Sequence, residues 1–295
     1  MYADNFSLIL DAVEHTTVKN RIGRLFSVFL KHPIRFVVGI YSKVRYRFSK
    51  KVTLISGPLF FGWRMCIPAP IGLEYYLYGA KAHPSEIRLA RFLLNTLTEG
   101  AVFFDVGAHF GFYSLLASFL VGKKGRVLSF EPNVEAWEYL NINKKSHDNI
   151  SLFCGTVSSH EEGESFIKLP LLYSENSSTE QSIVDLNEQF RSIQEEIWVP
   201  SFTLDGIIQK YNIAPYVIKI DAEGAEFRIL QGAHRLLSSH NPIIVMEYNP
   251  DLPMHQEARA YLEQVGYAPS FIDSQGGLCV VDSTSDGFIV FKKNI

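Results

Sequence analysis

The chain has 295 residues, 47% of them hydrophobic and 20% charged, with a formal net charge of −3. That balance excludes wholesale disorder, and the length suffices for one large domain or a domain with an appendage. The charge is uneven: no Asp or Glu lies between His15 and Leu73, whereas Lys19, Arg21, Arg24, Lys31, Arg35, Lys43, Arg45, Arg47, Lys50, Lys51 and Arg64 all do.

The first 80 residues therefore read as a basic, amphipathic helical arm. Its run "LFSVFLKHPIRFVVGI" is apolar but broken by Lys31, Pro33 and Arg35, short of the ~20 apolar residues a spanning helix requires. Acids at Asp4, Asp11 and Glu14 and the lack of a small-residue cleavage site argue against a signal peptide. Cations interleaved with aromatic and aliphatic residues, as in "PIRFVVGIYSKVRYRFSKK", suit either peripheral contact with an anionic membrane or docking on the body or on a second subunit as a homo-oligomer. No nucleic-acid partner is expected, since the body is acidic. Cys66, Cys154 and Cys279 are odd in number and in no metal-ligand spacing, which fits a reducing, cytoplasmic setting.

From residue 81 to the end the pattern alternates helix and strand, the mark of a parallel sheet with helices on its faces. "HPSEIRLARFLLNTLTEG" reads as a helix stopped at Gly100, and "AVFFDV" as a strand buried on both faces. A helix from Phe112 to Val121, the strand "RVLSFE", a helix after Pro132 and the strand "ISLFC" follow. Residues 155 to 200 break the rhythm around polar "SENSSTEQ" and read as an inserted arm or lid. The alternation resumes with the helix "TLDGIIQKYN", the strand "YVIKID", a helix from Ala225 to Leu237 and the strand "PIIVMEY". A helix from Gln256 to Val265 and a last strand "GFIVFKK" complete the reading.

Ligands of an open α/β sheet sit beyond the carboxyl ends of its strands, and here those ends carry Asp105, Glu131, Asp221 and Glu247. A dinucleotide needs G-x-G-x-x-G so that its pyrophosphate can approach the backbone. The turn here is "GAHFG", with His109 and Phe112 where the second and third glycines would stand. That disfavours a nicotinamide-dependent dehydrogenase. An acid before the turn, Asp105, suits an ammonium group, and Glu131 suits both hydroxyls of a ribose. S-adenosylmethionine carries both groups and no phosphate.

"FFDVGAHFGFYS", "VLSFEPN", "TLDGII", "VIKIDAEGAEFRILQGA" and "IIVMEYNP" resemble the successive motifs of the FkbM family of S-adenosylmethionine-dependent methyltransferases, over roughly Glu86 to Asn249. The resemblance implies a class I, Rossmann-like fold with a mostly parallel seven-stranded sheet whose last strand is antiparallel. It also implies methyl transfer to hydroxyls of sugars, glycans or natural products. Carried over by position, Asp105, Gly107, Ala108, His109, Gly111 and Tyr113 shape the cofactor's amino acid site. Glu131 holds the ribose, and Thr156 begins the motif on the adenine side. The family usually has Asn in place of His109, and a motif resembling "AVSD" where this chain has "TVSS".

Transfer of a methyl group to an alcohol requires alignment of the reacting atoms and a base for the hydroxyl proton. Asp221 and Glu223 are the candidates, one as base and the other orienting the acceptor, with Gly224 allowing the sharp turn between them and the next helix. A competing arrangement pairs Asp221 with Lys219 and leaves Glu223 to complement a helix N-terminus. A second competitor has Asp221, Glu223, Glu247 and Asn249 coordinate magnesium, although the preferred reading holds no metal. His83, His234 and His255 read as ordinary hydrogen-bonding residues. The rival from another class is a catalytically inert, nucleotide-binding or membrane-peripheral scaffold.

Overall fold

The computed structural model describes residues 2–17, 21–179, 190, 192–280 and 287–293. It divides into two units, Met1–Thr96 with Ser274–Gly276, and Leu97–Asp273 with Gly277–Ile295.

The first unit begins with three helices, α1 (Tyr2–Thr17), α2 (Arg21–Lys31) and α3 (Pro33–Ser49). Pro33 occupies the first turn of α3, where its missing N–H costs nothing, and Lys50 ends it in a left-handed conformation. The antiparallel pair β1 (Thr53–Pro58) and β2 (Arg64–Ala69) follows, then α4 (Leu73–Tyr78) and α5 (Pro84–Thr96). Arg91 of α5 is almost wholly buried and ties α1 down through Asp11 at 2.5 Å and Glu14 at 2.7 Å.

The second unit is built on β3 (Val102–Val106), α6 (Phe112–Val121), β4 (Arg126–Glu131), α7 (Val134–Lys144) and β5 (Ile150–Cys154). Next come the short β6 (Thr156–Val157), then β7 (Glu164–Lys168), a 3-10 turn at Leu171–Asn176, β8 (Glu195–Val199) and β9 (Ser201–Phe202). The remainder is α8 (Leu204–Tyr211), β10 (Val217–Ile220), α9 (Glu226–Gln231), α10 (His234–Ser239) and β11 (Ile243–Tyr248), then α11 (Pro253–Gln264), β12 (Tyr267–Ile272), β13 (Leu278–Cys279) and β14 (Gly287–Lys293). The main sheet runs β13-β12-β14-β11-β10-β3-β4-β5.

β4, β3, β10 and β11 pair in parallel and β14 lies antiparallel to β11, so the last strand runs as expected. The expected seven strands become eight because the two-residue β13 adds to the edge. β12 carries Pro269, which breaks the apolar run that would mark a strand in the sequence, yet it pairs with β14 along five residues. The single helix expected from Ala225 to Leu237 is two helices. A Cβ on Gly232 would lie 2.1 Å from the carbonyl oxygen of Ser158, and the helix breaks where the two backbones touch.

Alternation along the central strands divides the core. Phe104, Val106, Leu128, Phe130, Ile218 and Ile220 join Ile229, Leu230 and Leu262 on one face. Each fully buried side chain of this kind contributes about 1.5–3 kcal/mol of hydrophobic stabilisation. The chain leaves β3 toward β4 and β5 on one side and returns to β10 and β11 on the other, so the switch point lies between β3 and β10. Residues 180–189 and 191 of the expected insert lie outside the described residues; the described part pairs β7 with β8 antiparallel.

Candidate active site

Lys219, Asp105 and Ser129 form one row across β10, β3 and β4, and pleating sends all three to the same face. Ser114 of α6 covers the row, donating to Asp105 Oδ2 at 2.6 Å and lying 2.8 Å from Ser129 Oγ. The buried Lys219 Nζ donates to the Gly107 carbonyl at 2.9 Å and sits 3.0 Å from Asp221 Oδ2 and 3.5 Å from Asp105 Oδ1. A buried ammonium survives only with partners of this kind. Burial pushes Asp105 up, and Lys219 and Ser114 offset part of that rise. Asp105 is thus wholly covered, with Oδ1 left without a hydrogen bond, so the carboxylate expected to face an ammonium group is turned instead to Ser114 and Lys219.

The turn above this row has positive φ at Gly107 (74°), His109 (51°) and Gly111 (90°). A Cβ at Gly107 would lie 1.8 Å from the Asp221 carbonyl oxygen, so a glycine is required where the turns after β3 and β10 meet. Gly107 and Ala108 donate their N–H groups to the Phe130 carbonyl at 3.1 and 3.0 Å. His109 donates its N–H to Glu131 Oε2 at 2.7 Å, and Asn133 donates its own to Oε1 at 2.9 Å. The His109 ring stacks on Phe110 and its Nε2 lies 2.8 Å from Ser174 Oγ. Burial pushes Glu131 up to about 7 against the pull of these two N–H donors. Tyr113 is buried, its ring centre 5.6 Å from Lys219 Nζ. Thr156 directs its N–H and its hydroxyl to the Pro200 carbonyl at 2.9 and 3.4 Å, and so serves the pairing of β6 with β9.

The turn after β10 holds the other candidates. Glu223 is left-handed (φ 50°), and its carbonyl accepts from Ser178 Oγ at 2.5 Å. The place at the helix N-terminus that the competing arrangement gives Glu223 is taken by Glu226, which is wholly buried and accepts the Ala222 N–H at 3.0 Å. Glu247 closes the group from the end of β11: Asp221, Glu223 and Glu247 bring carboxylate oxygens within 4.8 Å of one another. The Asp221 charge, then burial, hold Glu247 well above the usual carboxylate range. The oxygen-only donor set has the hardness that magnesium or calcium takes. Asn249 is not turned to it, because its Oδ1 accepts the Asp251 N–H at 2.9 Å. His255 accepts the Asn249 N–H at 2.8 Å, while His83 and His234 bond Ser85 and Tyr261.

Asn133, Ser174 and Ser178 escaped the reading of the sequence, while Lys219 entered it only in the competing arrangement as the partner of Asp221, a pair that forms at 3.0 Å. Period-two alternation in "VIKID" does place Lys219 on the Asp105 face; no sequence signal announces the serines, which arrive from the insert.

The matching domain is Methyltransferase FkbM, over residues 105–269. The chain belongs to the FkbM methyltransferase family. Its sheet is accordingly that of a class I methyltransferase, extended by β13. It is 28% identical over 162 residues to the hexuronic acid methyltransferase AglP of Haloferax volcanii, an alignment covering 52% of this chain and 59% of that one. Among solved structures, it resembles an FkbM methyltransferase from Methylobacillus flagellatus at 17% identity and TM-score 0.42, covering 74% of this chain and 52% of that one. It also resembles a Bacillus cereus O-methyltransferase in complex with S-adenosylhomocysteine, at 15% identity and TM-score 0.41, with 73% and 83% covered.

Within this FkbM domain the residues present suit S-adenosylmethionine. Each Glu131 oxygen accepts a single N–H and keeps a second lone pair for a ribose hydroxyl. The bulk of His109 and Phe112 denies a pyrophosphate the close backbone approach it needs.

Proposed function

We propose that the protein transfers a methyl group from S-adenosylmethionine to a hydroxyl of a sugar or glycan acceptor. The observation that carries this reading is the meeting of two strand-end turns, one holding Glu131 through His109, the other presenting Asp221 and Glu223, at the switch point of the sheet. When bound, S-adenosylmethionine supplies a methyl group on a positively charged sulfur. Glu131 takes the ribose hydroxyls, and the Gly107–Gly111 turn with His109 receives the amino acid end. Asp221 or Glu223 accepts the acceptor's hydroxyl proton as its oxygen takes the methyl, and the other carboxylate orients that hydroxyl. Lys219 holds Asp221 in place at 3.0 Å and fixes the glycine turn at 2.9 Å, so that both halves of the site share one support.

The electrostatics favour a hydroxyl over a carboxylate as acceptor. A carboxylate needs no base, and the carboxylates of Asp221 and Glu223 would repel it. Since AglP is named for hexuronic acids, a hexuronic acid and its neutral hexose counterpart are the first acceptors to compare. The test is transfer of labelled methyl to these sugars, followed by mild alkali. An alkali-stable ether supports the reading; label released as an ester refutes the hydroxyl as acceptor, and cofactor binding without transfer to any acceptor would favour an inert scaffold.

A further inference from the structure

Helix α3 is inverted relative to a helix of a globular core. The residues it buries are Gly39 and Ser42, and a Cβ on Gly39 would meet Leu73 of α4 at 3.3 Å. The same side is fastened by polar bonds: Arg35 donates to the Tyr76 carbonyl at 3.2 Å, and Arg45 donates to the Val52 carbonyl at 3.1 Å and to Thr53 Oγ1 at 2.9 Å. The large apolar residues Ile34, Val37, Tyr41, Val44 and Phe48 recur every three or four positions on the face opposite Gly39. They are left in water, Ile34 77% and Phe48 83% exposed, and Phe26 and Leu30 of α2 are exposed as well. A helix that buries its small residues and exposes its large ones has an apolar face that intramolecular packing does not explain.

Exposed cations lie on the flank and at the ends of that face: Arg47 on its flank, with Lys31, Lys50 and Lys51 at the two ends of the helix. No acidic residue lies between Glu14 and Glu74 to balance them. A second copy of the chain would bring the same cations against one another, whereas an anionic bilayer offers an apolar interior beneath a negative surface. Among the described residues no helix is long and apolar enough to cross a membrane. We infer that α3, with the end of α2, lies on the surface of an anionic phospholipid bilayer, its aliphatic and aromatic residues entering the acyl boundary and its lysines and arginines reaching the headgroups.

The test is co-sedimentation of the full chain with phosphatidylcholine vesicles prepared with and without phosphatidylserine. The expected result is binding to the anionic vesicles, weakened by salt, and little to the neutral ones. Each surface cation contributes about 1 kcal/mol, a fivefold change in partitioning, so Arg47→Gln, Lys50→Gln and Lys51→Gln together should lower binding on the order of 100-fold. Ile34→Asp, Val37→Asp and Phe48→Asp should abolish it while leaving S-adenosylhomocysteine binding intact, because the substituted side chains are exposed. Equal binding to both vesicles, or none to either, overturns the inference. A dimer dissolved by the aspartate variant, with no vesicle binding, would assign the face to contact between copies and overturn it too.

Discussion

Replacing Glu131 by Gln tests the cofactor side of the site most directly. The carboxylate is buried and spans two backbone donors, His109 N–H at 2.7 Å and Asn133 N–H at 2.9 Å. Glutamine offers one acceptor oxygen and one NH2 group, so one of those N–H groups would face a donor. Leaving it unpaired costs about 1–3 kcal/mol, and loss of a charge-assisted bond to the ribose is of the same order. Part of the first cost appears in stability and the rest in binding, since His109 is held in its left-handed conformation through that bond. The expected loss in S-adenosylhomocysteine affinity is roughly 2–3 kcal/mol, some 30- to 150-fold in Kd, measured by titration calorimetry. The pH dependence supplies a second readout. Burial raises Glu131 to about 7, and ribose hydroxyls donate to its charged form. Affinity should therefore weaken as pH falls below about 7, approaching tenfold per unit as the carboxylate takes up a proton before it can bind. The Gln variant should lose that slope. A Kd within threefold of wild type, with the slope retained, would remove Glu131 from the ribose.

The acid turn, its support and its use of a metal are tested separately. Asp221→Asn or Glu223→Gln, whichever removes the base, should slow methyl transfer about 10²-fold or more with S-adenosylhomocysteine affinity unchanged; wild-type turnover in both would refute the assignment. Lys219→Met leaves Asp105 and Asp221 without their buried cation and should cost about 3–5 kcal/mol, lowering the melting temperature by roughly 10 °C in a thermal scan. An unchanged melting temperature would show that those carboxylates do not need the lysine. Chelation with EDTA should leave turnover intact; abolition by EDTA and rescue by magnesium would make Asp221, Glu223 and Glu247 ligands instead of base and orienter.

The strands that build the centre of the sheet were legible because burial on both faces leaves a continuous apolar run, as in "AVFFDV" and "PIIVMEY", whose ends set the acids in place. The edge was not. β12 contains Pro269 and β13 is two residues long, so their pairing depends on β14 being present and not on their own pattern. The break at Gly232 was hidden for a similar reason: helical periodicity runs through Phe227, Leu230 and Leu237, while the cause of the break is the backbone of Ser158, distant in sequence. In the site, the acids and glycines could be named from one strand and its turn. The bonds that hold them could not, since Lys219 reaches back to Gly107 and Ser174 reaches His109 only in the folded chain.

Those long-range bonds converge on one segment. Ser174 contacts the His109 ring on one turn, and Ser178 donates to the Glu223 carbonyl on the other. Arg228 of α9 reaches Thr179 and lies 3.1 Å from Glu164 of β7. Asn133, which caps α7, also donates to Ser177 at 3.2 Å and to the Leu169 carbonyl at 3.4 Å. The segment from Leu169 to Thr179 is thus bonded to both candidate halves of the site, while Leu169 itself packs with Ile167 and Phe190 in an apolar cluster beside them. Each polar bond contributes about 1 kcal/mol net and the buried leucine about 1.5–3 kcal/mol, so the segment is anchored by apolar burial as well as by its polar bonds. One stretch of chain thereby ties the glycine turn after β3 to the acid turn after β10.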